Sequence, residues 1–235
     1  MDRLTDPVTL AAWNNAQWCD AVSRAHGAAC RFEPGFWING GDAPPFYPNL
    51  VTTDPDATAA QLTAIELLAE QPARGIGIKD SFFALDLSEF GLEPIFDADW
   101  LFLPPAATLP ASGVDVRAVA GADELALWEK AWGGTDGGTH VFPPALLGDE
   151  RIRFLAARRE GRIIAGAAVN HSDGAIGISN VFHGGDGDAL AALVAAARRR
   201  ASDLPIVGYE SGDDRGPFHT LGFTSIGKLR VWIRP

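Results

Sequence analysis

The stretch that decides the fold runs from Ile206 to Phe223, IVGYESGDDRGPFHTLGF. Its apolar start reads as the end of a buried strand, and Asp214 to Leu221 as a short helix that Gly222 stops, because glycine readily takes the left-handed conformation found past helix ends. Between strand and helix lie four charged side chains, Glu210, Asp213, Asp214 and Arg215. A charged run framed by apolar structure at both ends is where a site, or the remnant of one, is expected.

Working outward, GDALAALVAAARRRA (187–201) precedes this stretch and predicts a helix from its Ala and Leu content, with Asp188 placed to cap its start and Arg198 favourable near its C-terminal carbonyls. Before it, ERIRFLAARREGRIIAGAAVNHSDGAIGISNVF (150–182) holds three apolar runs separated by REGR and HSDG, the pattern of an antiparallel meander. VDVRAVA (114–120) predicts a strand, and GADELALWEKAWGG a helix in which Leu125, Trp128 and Trp132 recur at helical spacing. After Phe223, IGKLRVWIR (226–234) predicts a final strand. The second half therefore reads β-α-β-β-β-α-β-α-β.

The first half carries a weaker version of that order. AAWNNAQWCDAVSRAHG (11–27) predicts a helix, ACRFEPGFWING and YPNLVTT strands, DPDATAAQLTAIELLAEQ a well-capped helix, RGIGIKD a strand and DADWLFLPP another. Sliding the sequence by 131 positions places Gly77 on Gly208, Leu62 on Leu193, Gly91 on Gly222 and Pro104 on Pro235, with the element order matching at the same offset. That points to a duplicated unit. The proline-rich segment LFLPPAATLPASGVDV reads as a linker and places the boundary near Pro110, giving units 1–110 and 111–235.

Composition narrows the classes. The chain has 235 residues, 47% of them hydrophobic and 21% charged, enough apolar material for a core. A net charge of -11 argues against a nucleic-acid partner, which needs a concentrated basic surface. The acidity is uneven: residues 1–110 hold 15 acidic and 5 basic side chains, residues 111–235 hold 15 and 14. No apolar run reaches the length of about 20 residues that spans a bilayer, so no membrane partner is expected and the location expected is cytoplasmic. Cys19 and Cys30 read as small buried hydrophobes, and no His, Cys and carboxylate cluster has metal-ligand spacing.

With SNVFHGGDGDALAAL (179–193) and the stretch from Ile206, residues from about Val114 onward resemble the GNAT superfamily of acyl-CoA-dependent N-acyltransferases. The first half is similar to a second, degenerate copy. The resemblance implies an α+β fold, with a mixed, mostly antiparallel sheet flanked by helices and duplicated. It implies acetyl-CoA as cosubstrate, its pantetheine along Ile178, Asn180 and Val181, and its pyrophosphate on the turn of His183, Gly185, Gly187, Asp188 and Ala189. Free N–H groups at a helix start favour such an anion.

Three departures stand out. Phe182 occupies the place of a usual Arg or Gln, Asp186 and Asp188 have the wrong sign for a phosphate, and Phe218 stands where the family's frequent tyrosine would donate a proton to the CoA thiolate. Ser211 falls where an asparagine is frequent. The turn TTDPDATAAQ in the first copy has no glycine and is not expected to hold a CoA. Glu210 is the candidate base, with Tyr209 and Ser211 on the opposite strand face. His183, His219 and His140 are further titratable candidates. The expected activity is acyl transfer to a small amine, cationic or neutral, drawn to the acidic first half. The alternative is a catalytically inactive GNAT-like protein that binds a ligand or partner.

Overall fold

In a computed structural model, the structure describes residues 6–71, 75–133, 140–199 and 201–234; Gly134 and Pro235 lie outside the described residues. The first half forms α1 (Pro7–Ala25), β1 (Cys30–Glu33), β2 (Phe36–Asn39), β3 (Leu50–Thr52), α2 (Thr58–Ala69), β4 (Ile76–Asp80) and β5 (Glu93–Leu103). The second forms β6 (Asp115–Ala118), α3 (Ala122–Gly133), β7 (Ile152–Arg159), β8 (Arg162–Ser172), β9 (Ala175–Phe182), α4 (Gly187–Arg198), β10 (Ile206–Glu210), α5 (Arg215–Thr220) and β11 (Thr224–Arg234). The second half thus has the order read from its sequence. In the first, ACRFEPGFWING is two strands rather than one, because Pro34 and Gly35 turn it into the β1–β2 hairpin, where Gly35 takes φ +97°.

The helix starts follow from local chemistry. Asp6 caps α1 by accepting from the Thr9 N–H at 2.8 Å, with Pro7 in the first turn. At α4 the cap is Asp186, not Asp188: the Asp186 carboxylate accepts from the Ala189 N–H at 3.0 Å, so Asp188 falls inside the first turn. α2 begins after Ala57 with no side-chain cap bond, contrary to the capped start its sequence suggests.

Among the described residues all the strands join one 11-stranded sheet in the order β1-β2-β3-β4-β11-β5-β10-β9-β8-β7-β6. The last strand of each half therefore lies inside the other half: β5 pairs with β10, and β11 with β4. At the centre β5 and β11 run antiparallel, and Ala98 faces Leu229, 131 positions further on. A pseudo-twofold axis passes between this residue and its own counterpart, as a duplication with exchanged final strands requires. Among the described residues only β3–β4 and β9–β10 are parallel, one pair in each half.

Strand alternation sorts the core onto two faces. Ile206 packs with Leu190, Leu193 and Phe218 of α4 and α5, while its neighbour Val207 packs with Leu10 and Ala11 of α1. Ile78 packs with Ile65 and Leu68 of α2, while its neighbour Lys79 reaches Asn15 of α1. The α1 face continues into an aromatic cluster under α3, where Trp128 lies 5.1 Å from Phe154 and 5.2 Å from Phe182. Phe182 is therefore half-buried against the core, seated over Gly166, where an added Cβ would come within 2.5 Å of its ring.

Candidate functional site

The parallel β9–β10 ladder holds for two residue pairs, Ile176–Ile206 and Gly177–Val207. Gly208 then passes close to β9; a Cβ there would lie 2.8 Å from the Ile178 carbonyl oxygen. Beyond this point the strands part. β10 stays with β5 through the Glu210–Asp99 pair, while β9 stays with β8 across an irregularity between Ala168–Ser179 and Gly166–Phe182. Asn180 sits in that bulge with φ 52°.

The divergence opens onto a cleft of about 1330 Å³ on the α1 face, lined by Asn180 and Tyr209 from the second half and by Tyr47, Gly77 and Lys79 from the first. The other parallel pair meets the same cleft at its opposite end. β3 and β4 stay tied at both ends: the Ser81 N–H donates to Thr52 Oγ1 at 2.8 Å, and at the cleft end the Asn49 N–H donates to the Gly77 carbonyl at 2.6 Å while the Gly77 N–H donates to Asn49 Oδ1 at 3.0 Å, so this pair does not splay.

A polar network floors the cleft. Lys79 is 4% exposed, and its ammonium donates to Asn15 Oδ1 at 2.8 Å and to the Tyr209 hydroxyl at 3.1 Å, while standing 4.3 Å from the centre of the Tyr209 ring. Asn180 Oδ1 accepts from Trp18 Nε1 and from the Tyr47 hydroxyl, both at 3.2 Å. Although residues 1–110 carry most of the chain's net negative charge, the formal charge on this floor is a buried cation.

Glu210 points to the other face, where α4 and α5 lie. Burial, reinforced by the nearby Asp214 carboxylate, pushes its carboxyl up from 4.5 to about 8. Tyr209 and Glu210 thus look into opposite sides of the sheet at the mouth of the splay. Ser211 leads into the 3-10 turn Gly212–Asp214, its carbonyl accepting from the Asp214 N–H at 3.2 Å. Arg215 pairs with Asp99 at 2.6 Å, not with Glu210.

The turn before α4 has the backbone a phosphate would need and a charge that opposes one. Gly184 and Gly185 adopt φ 54° and 83°, and a Cβ at either, or at Gly187, would meet nothing within 4 Å. The Asp186 carboxylate already stands on the helix start and pairs with Arg159 at 2.8 Å; the Ala189 N–H and this pairing hold it below the usual carboxylate range. The Asp188 carbonyl accepts from Ser112 Oγ at 3.0 Å, Val181 is partly buried against the α4 core, and His183 keeps its Nδ1 buried without a partner among the described residues. Phe218 is 2% exposed and packs edge-on against Phe223, so no proton donor stands on α5 at that position. His219 Nδ1 bonds the Phe223 carbonyl at 3.0 Å, whereas His140 lines the cleft.

Lys79 on the cleft floor, and Asn15 and Trp18, which bond to that floor, are residues that the sequence reading passed over. The available signal was the alternation in Gly75-Ile76-Gly77-Ile78-Lys79, which puts the lysine on the face opposite the two isoleucines. Its partners, 64 and 130 positions away, carry no local mark. Among the described residues no three His, Cys, Asp or Glu side chains form a group that could hold a metal ion, and no helix is long and apolar enough to cross a membrane.

An open sheet with a splayed parallel pair, a glycine turn leading into a helix, and a second half related by exchanged strands defines a duplicated GNAT-like fold. Solved structures carry the same fold at low identity. A GCN5-related N-acetyltransferase from Kribbella flavida matches with a TM-score of 0.65 at 18% identity, over 98% of this chain and 96% of its own. One from Sphaerobacter thermophilus matches with a TM-score of 0.58 at 15% identity, over 97% and 94%. A tandem GNAT protein from the clavulanic acid biosynthesis pathway matches with a TM-score of 0.53 at 15% identity, over 96% of each chain. No protein-family model matches the sequence, and no curated protein matches it.

Proposed function

We propose that the protein is an acyl-CoA-dependent N-acyltransferase, with one acyl-CoA site in the β9–β10 splay and a small-molecule amine as acceptor, entering from the cleft. The observation that carries this reading is the parting of β9 from β10 beyond Gly208, beside a carboxyl held to about 8. The acyl donor supplies a thioester. Glu210 is protonated at neutral pH, so it has a proton to give to a departing thiolate and, once ionised, takes one from the attacking nitrogen, which balances the transfer. It would thereby fill the role that Phe218 cannot. Asn180 and Val181 would border the pantetheine, and the His183–Ala189 turn would face the pyrophosphate with Asp186 weakening that contact. Two free, buried thiols, Cys19 and Cys30, suit the cytoplasm.

A second reading, a GNAT-like binding protein without catalysis, is favoured by Asp186 standing on the α4 start. Thiol release from acetyl-CoA in the presence of a panel of primary amines separates the two. Transfer that Glu210→Gln abolishes while leaving acetyl-CoA affinity nearly unchanged supports the enzyme. Acetyl-CoA binding with no transfer to any amine supports the binding protein, and equal loss of both functions in Glu210→Gln removes Glu210 from the chemistry.

A further inference from the structure

The floor of the cleft is a set of donors without an acceptor. Of the three Lys79 N–H groups, two go to Asn15 Oδ1 and the Tyr209 hydroxyl, leaving one. The Tyr209 oxygen accepts from Lys79, which leaves its own O–H to donate. Asn180 uses its oxygen twice, for Trp18 and Tyr47, so its NH2 is unclaimed. Among the described residues no carboxylate bonds or pairs with Lys79, although the side chain is almost completely buried. A buried ammonium held only by neutral groups is short of an anion, since burying a charge is costly unless it is paired.

Part of the wall above this floor is apolar, while Asp42, Glu129, Lys130, His140 and Arg234 also line the cleft. Ile95, Phe96, Trp132, Val231 and Ile233 line the cleft, together with Phe46, which is 79% exposed at its mouth. Ile95 and Phe96 are also exposed, at 50% and 37%. Exposed large apolar side chains gathered around a concave site mark a surface made to be covered. Phosphate, with its higher charge and no apolar body, would satisfy the floor and leave these walls wet.

We infer that the cleft binds an organic monocarboxylate, whose carboxylate is taken by Lys79, Tyr209 and Asn180 and whose apolar body lies against Ile95, Phe96, Trp132, Val231 and Ile233. The inference deepens the acyl-transfer reading, because the amine acceptor would then also carry a carboxylate. It is tested without any CoA compound, so it stands or falls separately from that reading.

Calorimetric titration of the full chain uses matched acids, primary amides and amines: hexanoate, octanoate and phenylacetate against their amides and the corresponding amines. Hydrogen bonds to a charged group predict at least tenfold tighter binding of an acid than of its amide, with the amine weakest. Lys79→Met should weaken the acid at least tenfold and the amide less than threefold. Tyr209→Phe, which keeps the ring, should weaken the acid severalfold and carries the comparison if Lys79→Met does not fold. No acid bound at millimolar concentration, an amide or amine bound as tightly as its acid, or acid affinity unchanged in Tyr209→Phe would overturn the assignment.

Discussion

Glu210→Gln removes an ionisation that the fold opposes, and its effect on stability follows from the site. The carboxyl rises from 4.5 to about 8, because burial disfavours the charged form and the Asp214 carboxylate adds repulsion. A folded-state value above the unfolded one means that the neutral acid contributes stability fully present below about pH 4.5 and lost as the pH rises through about 8. At 1.36 kcal/mol per unit, the ionised side chain costs the folded protein roughly 3 to 5 kcal/mol at high pH. Glutamine has the same shape and no charge to bury. Urea unfolding of both proteins between pH 5 and pH 9 should therefore give a stability difference that moves by that amount in favour of the variant as the pH rises. Taking the difference cancels the other titrating groups, including Asp80, whose carboxyl burial also raises. A difference that stays constant across the range would refute the account of Glu210 as a desolvated acid.

Two further substitutions probe the neighbouring structure. Asp186→Asn keeps a good capping residue and removes one charge beside the α4 start, so stability should change by less than about 1 kcal/mol while acetyl-CoA affinity rises about two- to fivefold, as read by calorimetry. Gly177→Ala would put a Cβ 2.0 Å from Asn14 Oδ1 and 2.2 Å from Asn170 Oδ1. Both side chains are buried, and their amides bond Ser172 Oγ and the Asn14 carbonyl, bonds that a shift would strain, so thermal unfolding should show a loss of about 2 to 4 kcal/mol.

Local patterns carried most of the fold. The meander was legible because its two turns, at Glu160-Gly161 and Asp173-Gly174, sit where the chain needs residues that tolerate positive φ, and both Gly161 and Gly174 adopt it. The exchange of β5 and β11 was not legible, because two strands from a duplicated unit present similar edges and either one fits either neighbour. Two aspartates two residues apart could both cap α4, and only the backbone geometry decides for Asp186. On the site side, Glu210 could be placed on a strand end from its sequence, but its desolvation comes from packing around β10. Asn180 and Tyr209 were named from the sequence, but their meeting with Asn15 and Lys79 on one cleft floor was invisible, as the four come from elements far apart in the chain.

The central claim is that the β9–β10 splay accepts an acyl-CoA, and calorimetric titration of the full chain with acetyl-CoA and with CoA tests it most directly. The account predicts saturable binding of one molecule per chain below millimolar concentration, because the acidic, glycine-free turn before α2 offers no second site. Absence of binding at millimolar acetyl-CoA, or two equivalent sites per chain, would contradict it.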